Sequence, residues 1–322
     1  MPPATVPANP APKADPKKNS PLANEQANTP SNPTLVVRNS WTDIGVLGAS
    51  CLQPPSDSGP FVVDKSGSKG ASVSFTRDYA GNNKSWAAQG IVAEVYASCD
   101  TSHITRDSND TGTVLEKSFA IYAEINSDYN SNAVVAKKSN VDTRTAGLSG
   151  EIAYEYGAAL NVFRVTPNVV FDNIKNTTAA AVKAQYLPMS DGLWAATGIP
   201  GLPYTISFNP ALDLQYTSAM EHSQPLQFSG KDQSLRIGPE LGLIVTPIYS
   251  ETNLFSHIGF NETFYPWYEA YTRRGSYWWA NSIFYNFNKD GTVALALSYN
   301  RGQDENSGTM TNQYIVSLTG KI

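Results

Sequence analysis

The stretch that decides the fold runs from Pro203 to Tyr216 and reads PYTISFNPALDLQY. Tyr204, Ile206, Phe208, Pro210, Leu212, Leu214 and Tyr216 share one parity; Thr205, Ser207, Asn209, Ala211, Asp213 and Gln215 share the other. Successive side chains of a strand point to opposite faces, so this is a strand with one wholly apolar side and one small or polar side. At about 3.3 Å per residue and a tilt near 40°, Tyr204 and Tyr216 bracket an apolar band of roughly 25–30 Å. A band of that height matches the hydrocarbon core of a bilayer.

The same scheme recurs along the chain. Leu235, Ile237, Leu241, Leu243, Val245 and Tyr249 alternate with Arg236, Gly238, Glu240, Gly242 and Thr246; Val293, Leu295, Leu297 and Tyr299 alternate with Thr292, Ala294, Ala296 and Ser298. The pattern predicts strands near 70–79, 86–98, 116–127, 144–157, 159–173, 176–187, 203–216, 232–249, 253–271, 274–288, 291–301 and 309–322. Several exceed the usual strand length of about 5–6 residues and reach the roughly 9–11 that a tilted membrane-crossing strand needs. The segment 253–271 is the least regular, because Glu262 shares parity with Ile258 and Phe260; a bulge would restore the alternation. The fold class expected is all-β: a transmembrane antiparallel up-and-down β-barrel of about twelve strands, preceded by a disordered N-terminal tail.

Composition narrows the alternatives. Charged residues make up 16% of the 322, against roughly 25% in soluble globular chains. No apolar run approaches the length of a membrane-crossing helix; Leu241 to Val245 is strand-sized. A net charge of −5 and the lack of a Lys/Arg stripe with interleaved aromatics exclude nucleic acid as the expected partner. The short glycine-containing stretches, such as GIPGL at 198–202, are turn material without the strand–glycine–helix context of a phosphate loop, so no cofactor is expected. No His sits at metal-ligand spacing with the two cysteines, so no metal is expected.

Three sections follow from these shifts in composition. Residues 1–34 are rich in Pro, Ala and Asn with almost no large apolar side chains, which predicts a disordered tail. Residues 35–69 form a lead-in in which TLVVRNSW is strand-like and LGASCLQPPSDSGP is loop chemistry. Residues 70–322 form the barrel. Met1 runs straight into PPATVPANPAPKADP, which has no apolar core, so no secretory signal is read there. If the first strand runs outward, short connections near 157–159, 250–252 and 288–291 fall on the periplasmic side, and longer ones near 128–143, 217–231 and 302–308 fall outside. The connections near 99–115, 188–202 and 172–175 depart from that rule. Tyr156, Tyr186, Tyr204, Tyr216, Tyr249, Tyr277, Tyr285 and Tyr299 fall near predicted strand ends, as an interfacial girdle requires.

The chain closes on TNQYIVSLTGKI, in which Tyr314, Val316, Leu318 and Ile322 are apolar at alternating positions with Gly320 among them. This resembles the C-terminal assembly signal of the Gram-negative outer-membrane β-barrel, porin-like superfamily, with Ile322 where an aromatic residue is usual. The hairpin over residues 292–322 is similar to the last two strands of such barrels. The resemblance implies outer-membrane lipid and the barrel-assembly machinery as partners. The Pro/Ala-rich tail, expected in the periplasm, is a candidate tether to the cell wall or to a periplasmic partner.

Candidate lumen charges follow from inward parity: Asp78, Glu94, Glu124, Glu151, Glu155, Arg164, Asp213, Arg236 and Glu240. They fit either a narrow porin-like channel for small polar solutes or ions, tuned by its lining, or a closed structural barrel filled by paired Arg and Glu. An enzyme is not expected: His222 and Ser223, and His257 and Ser256, are sequence neighbours that a strand would point in opposite directions, and His103 with Asp107 and Ser108 is ordinary loop composition. Cys51 and Cys99 fall in one oxidising compartment, which favours a disulfide over two free thiols. Pro167, Pro210, Pro239, Pro247 and Pro266 lie at outward positions and mark bulges or ends of the hydrogen-bonded zone. The rival architecture is a soluble exported β-sandwich binding protein, which also has one apolar face per strand but shorter strands and a more charged second face.

Overall fold

The structure, a computed structural model, describes residues 33–38, 47, 71–77, 84–99, 113–130, 141–156, 159–189, 193–194, 197–220, 226, 229–248, 250, 253–288, 293–303 and 310–320. Fourteen strands build it: β1 Thr34–Arg38, β2 Ala71–Arg77, β3 Lys84–Cys99, β4 Thr113–Asn130, β5 Val141–Tyr156, β6 Ala159–Asp172, β7 Thr177–Met189, β8 Thr197–Gly198, β9 Tyr204–Ala219, β10 Gln233–Pro247, β11 Ile258–Glu269, β12 Arg274–Asn286, β13 Val293–Gln303 and β14 Met310–Gly320. Twelve of them, β2 to β7 and β9 to β14, follow one another around a closed antiparallel barrel, and β14 returns to pair with β2. Closure leaves no free edge, which is what a sheet surrounded by apolar medium requires.

The parity read from PYTISFNPALDLQY holds on β9. Leu212, Leu214 and Tyr216 are exposed, while Ala211, Asp213, Gln215 and Thr217 are buried. The same division runs around the wall, from Ile121 and Ile152 to Phe163, Val182, Ile237, Ile283 and Leu297 on the outside. A soluble sandwich buries its apolar faces; here they are the exposed ones, so the polar face is the core. That inversion is the plan of a transmembrane barrel.

Three details differ from the sequence expectation. The first strand is split: β1 pairs with the Ile91–Val95 half of β3 and β2 with the Lys84–Gln89 half, so the lead-in already contributes to the sheet. The segment 253–271 begins with a 3-10 turn, Leu254–His257, capped by the Asn253 side chain, and becomes strand only at Ile258. No bulge corrects Glu262: β11 keeps one register with β12 throughout, and Glu262 faces outward opposite Asn281. Its carboxylate accepts the Trp279 indole N–H at 2.8 Å.

The prolines also find an account. The β10–β11 ladder is paired at 236–237 with 268–269 and again at 241–245 with 260–264 in unchanged register, and Pro239 and Pro266 both lie in the unpaired interval. Pro167 lies in the corresponding interval of β5–β6, between the Gly147–Asn168 and Gly150–Val165 pairs. For these three the missing donors are gathered into gaps and no extra residue is inserted, whereas Pro210 and Pro247 lie within the β9–β10 register, opposite Leu241 and Tyr204. The register shift that does occur, between Val114 and Glu116, involves no proline.

The two rims are less distinct in length than expected. The start of β1 and the end of β14 share one rim, the chain-end rim, with the connections 100–112, 157–158, 190–203, 248–257 and 287–292. At the far rim, residues 131–140 and 220–232 are long, but 173–176 and 270–273 are tight turns in which Asn176 and Arg273 take positive φ. Asp172 stabilises the first of these by accepting the Ile174 and Lys175 N–H groups at 3.0 Å. The disordered tail expected over residues 1–34 lies outside the described residues except for its last two, of which Thr34 opens β1.

Gly302 tests the fit of the β12–β13 ladder. Its φ is +124°, and an added Cβ would overlap the Tyr277 carbonyl and reach 2.9 Å from Trp278 Cα. Gly302→Val combines an unfavourable backbone region, worth about 1–3 kcal/mol, with that overlap. The folded barrel should then lose its compact gel mobility at a lower temperature than the parent, read by a heating series before electrophoresis.

Candidate functional site: the charged lumen

The inward face of β5 to β11 carries one continuous polar network. It starts at Glu151 on β5. Glu151 Oε2 accepts Arg164 Nη2 at 2.6 Å and Nε at 2.8 Å, both partners being nearly fully buried. Its Oε1 accepts the Leu47 backbone N–H at 2.9 Å. Arg164 reaches on to Gln185 Oε1 at 3.5 Å, and Gln185 Nε2 donates to Asp213 Oδ1 at 3.0 Å and to Glu240 Oε2 at 3.4 Å. The Gln185 amide is therefore a joint, its oxygen toward the guanidinium and its nitrogen toward two carboxylates. Asp213 Oδ2 pairs with Lys183 Nζ at 3.0 Å, and Tyr265 donates to Glu240 Oε1 at 2.6 Å.

Aromatic faces complete the network. Tyr265 and Trp267 are two residues apart on the inward parity of β11, with parallel rings, and Lys183 Nζ lies 5.8 Å from each. The Arg236 guanidinium lies 5.1 Å from the Trp267 ring and donates to Gln215 at 2.6 Å. Cation–π contact gains strength when the cation is shielded from water, and Arg236 is 1% exposed here. Glu269, nearer the far rim, accepts from Ser234 Oγ at 3.0 Å and from the Tyr271 N–H at 2.9 Å.

Two apolar clusters lie on the chain-end side of this network. On β3 and β4, Ile91, Ala93, Val95, Ala120 and Tyr122 pack around Leu47, which belongs to the stretch between β1 and β2. On β5 to β9, Ala153, Val162, Leu187, Met189 and Ala211 pack around Trp194. Trp194 arrives there because the β7–β9 pairing stops at Tyr186–Leu212. Beyond that point β9 pairs with β8 and bridges to Leu193. Trp194 takes φ +62° and anchors itself through its N–H on the Phe208 carbonyl and its indole on the Pro210 carbonyl, both at 2.9 Å.

The structure thus brings Glu151, Arg164, Asp213 and Glu240 into one hydrogen-bonded array, with Arg236 joined to its far end through Trp267. Glu124 sits inward on β4, opposite Ile91 of β3 and Thr145 of β5. Glu94 does not belong to the lumen. The inward parity of β3 is Ile91, Ala93, Val95 and Ala97, so Glu94 is exposed on the outside between Val92 and Tyr96. Glu155 and Tyr156 are placed only as β5 backbone, opposite Leu160 and Ala159. Asp78, Tyr249, Ile322 and Cys51 lie outside the described residues, and Cys99 is placed only as backbone, so the disulfide expectation falls there too.

Tyr186, Tyr204, Tyr216, Tyr277, Tyr285 and Tyr299 all have outward parity. Tyr204 donates to the Phe255 carbonyl and Tyr186 to Asn161, both at 2.7 Å. Of the assembly-signal residues, Tyr314, Val316 and Leu318 are among the most exposed apolar side chains of the barrel, and Gly320 ends β14. Ser256 and His257 do not meet: the Ser256 hydroxyl bonds to the Ser250 and Asn253 carbonyls, and the His257 ring to the Asn286 carbonyl. His103, His222 and Ser223 lie outside the described residues.

Sequence parity placed Gln215 on the polar face but did not single out Lys183, Gln185, Tyr265, Trp267 or Glu269. Lys183 and Gln185 share the inward parity of β7 and were readable in TTAAAVKAQY. Tyr265 and Trp267 were hidden because the apolar-outward rule assigns aromatic residues to the opposite face, and Glu269 because the irregular alternation of 253–271 left its parity undetermined. Trp194 carries no periodic signal, since a connection places it.

The pairing makes a directional prediction. Removing one member of a buried ion pair strands the other, at about 3–5 kcal/mol, whereas replacing both by apolar residues is near neutral. Arg164→Ala should lower the unfolding midpoint in detergent sharply, and Glu151→Leu with Arg164→Met should recover most of it, as measured by circular dichroism during heating.

No family model matches the chain, and no curated protein sequence matches it. Among solved structures it is similar to a "Bacterial polysaccharide outer membrane secretin", at 9% identity over 90% of this chain and 97% of that one, with a TM-score of 0.32.

Proposed function

We propose that this chain is an integral outer-membrane barrel acting as a narrow channel for small polar solutes or ions that is closed at rest. The membrane reading is supported by the exposed apolar belt around a closed twelve-strand wall. The chain-end rim is assigned to the periplasm, in keeping with the C-terminal assembly signal.

One observation carries the closed state. Asp213 is 0% exposed, Arg236 1%, Glu151 2% and Arg164 3%. Charges that line a standing water column are hydrated on one side; these are enclosed by one another, by Trp267 and Tyr265, and by Leu47 and Trp194 toward the chain-end rim. Passage therefore requires the network to part. Acidic groups (Glu151, Asp213, Glu240) alternate with basic ones (Arg164, Lys183, Arg236), so the array offers rungs to either sign of ion and selects weakly between them.

Reconstitution into planar bilayers tests both halves of the reading. The parent should hold a quiet baseline with rare small steps. Gln185→Ala, which cuts the joint between Arg164 and the two carboxylates, should give frequent steps of larger size. A parent with steady porin-sized conductance overturns the closed state. Silence in the parent and in Gln185→Ala, with compact heat-sensitive gel mobility retained, leaves a structural barrel instead. Solubility without detergent and no heat shift sinks the membrane reading itself.

A further inference from the structure

We propose that the outer wall of the barrel carries a site for a phosphate-bearing glycolipid of the outer leaflet, with one acyl chain in a groove across β3 to β6 and a phosphate on Arg144. The proposal rests on the membrane reading and on the orientation given above. The groove is a cavity of about 760 Å³ on the apolar face. Sites for small ligands span about 300–1,000 Å³.

The register explains its shape. Gly90, Ala123 and Ala146 are outward positions on three neighbouring strands, so the wall there has almost no side-chain height. Val92, Ile125 and Phe171 stand around that floor. Ala71, on the neighbouring strand, bounds the floor at its side: a Cβ added at Gly90 would lie 2.9 Å from the Ala71 Cβ, so the depression cannot be filled there without moving β2. On a wall surrounded by lipid, the material that fills an apolar groove is hydrocarbon chain.

Arg144 supplies the polar end. It lies opposite Ile125 and Phe171, both apolar, and it is exposed on the outside close to the far rim, as the fourth residue of β5. No carboxylate among the described residues pairs with it. The nearest acidic residue on its own face of the strand, Asp142, is occupied: Oδ1 accepts from Ser127 at 3.3 Å and Oδ2 from Asn173 at 3.1 Å. Lys175 of the adjoining turn is held by Asp172 at 3.2 Å. A guanidinium at the lipid boundary with no protein anion is matched by a phosphate, which it binds through two parallel N–H donors. Under the proposed orientation the far rim meets the outer leaflet, so the phosphate is that of a lipid A-type glycolipid.

Native mass spectrometry of the detergent-extracted full chain decides the matter. The probes are hexa-acylated lipid A with two phosphates, the same lipid with its phosphates removed, and dimyristoyl phosphatidylglycerol. The parent should retain the phosphorylated lipid A in preference to both others. Arg144→Gln and Ala123→Phe should each lower that retention about tenfold, a difference of about 1.4 kcal/mol. Ala180→Phe, at an outward alanine of β7 away from the groove, should leave it unchanged, with compact gel mobility kept in all three. Equal retention of the dephosphorylated lipid or of phosphatidylglycerol, or indifference to both groove substitutions, overturns the site while the membrane reading stands. A protein that never requires detergent overturns both.

Discussion

Every backbone N–H of a wall set in hydrocarbon must find a carbonyl within the protein, because no water is available to take its place. The rest of the structure follows from that constraint. It forces the twelve strands to close, and it decides where irregularity is tolerated. Pro239 and Pro266 fall in a single unpaired interval of β10–β11, and Pro167 in that of β5–β6, with the register intact on either side. Gathering donorless residues opposite one another limits the number of carbonyls left without a partner. Gly238 belongs to the same interval, where a Cβ would collide with the Pro266 carbonyl, so the two backbones come unusually close there.

The closing seam is where the constraint is met most thinly. β14 pairs with β2 through Leu318–Val73, Thr319–Ser72 and Gly320–Ala71, while β13 pairs with β14 along its full length. The seam begins where both strands allow, since Ala71 opens β2 and Gly320 ends β14; it is short because the ladder stops at Val73, leaving Ser74–Arg77 of β2 paired with β3 alone. The line that β1 and β2 form against β3 is interrupted between Arg38 and Ala71, and Leu47, which lies between them in sequence, donates its backbone N–H to Glu151 on the inward face.

The barrel was legible because its governing pattern has period two and the strands are long enough to show it many times. Pro203–Tyr216 fixed inside and outside for β9, and the same parity placed Glu151, Arg164, Asp213, Arg236 and Glu240 inward. Parity failed where one strand face is not uniform. On β11 the outward face contains Glu262, and the inward face contains Tyr265 and Trp267. Both exceptions have local causes that lie far away in sequence: the Trp279 indole beside Glu262, and the cations Lys183 and Arg236 beside the two rings. Glu94 failed differently, because β3 has apolar residues on both faces and its inward set, Ile91 to Ala97, matches an apolar cluster. Contacts made by connections, such as those of Leu47 and Trp194, leave no trace in strand periodicity.

The two halves of the wall divide the lumen between them by volume. β6 to β11 project long side chains, from Arg164 and Lys183 to Arg236, Tyr265 and Trp267. By the order of strands around the barrel, β13, β14, β2, β3 and β4 face them, with Ala294, Ala296, Ser298, Ser317 and Thr319 inward on β13 and β14 and Ile91, Ala93, Val95, Ala120 and Tyr122 inward on β3 and β4. Small residues on one side leave room for long ones from the other, the same complementarity that fills a soluble core. Arg164 and Lys183, on β6 and β7, therefore extend toward the small inward residues of β13 and β14, the strands that face them. An enlarged side chain at Ser298 or Ala296 would take up that room and press on the network. The packing of the barrel and the burial of its charges are, at this level, one interaction.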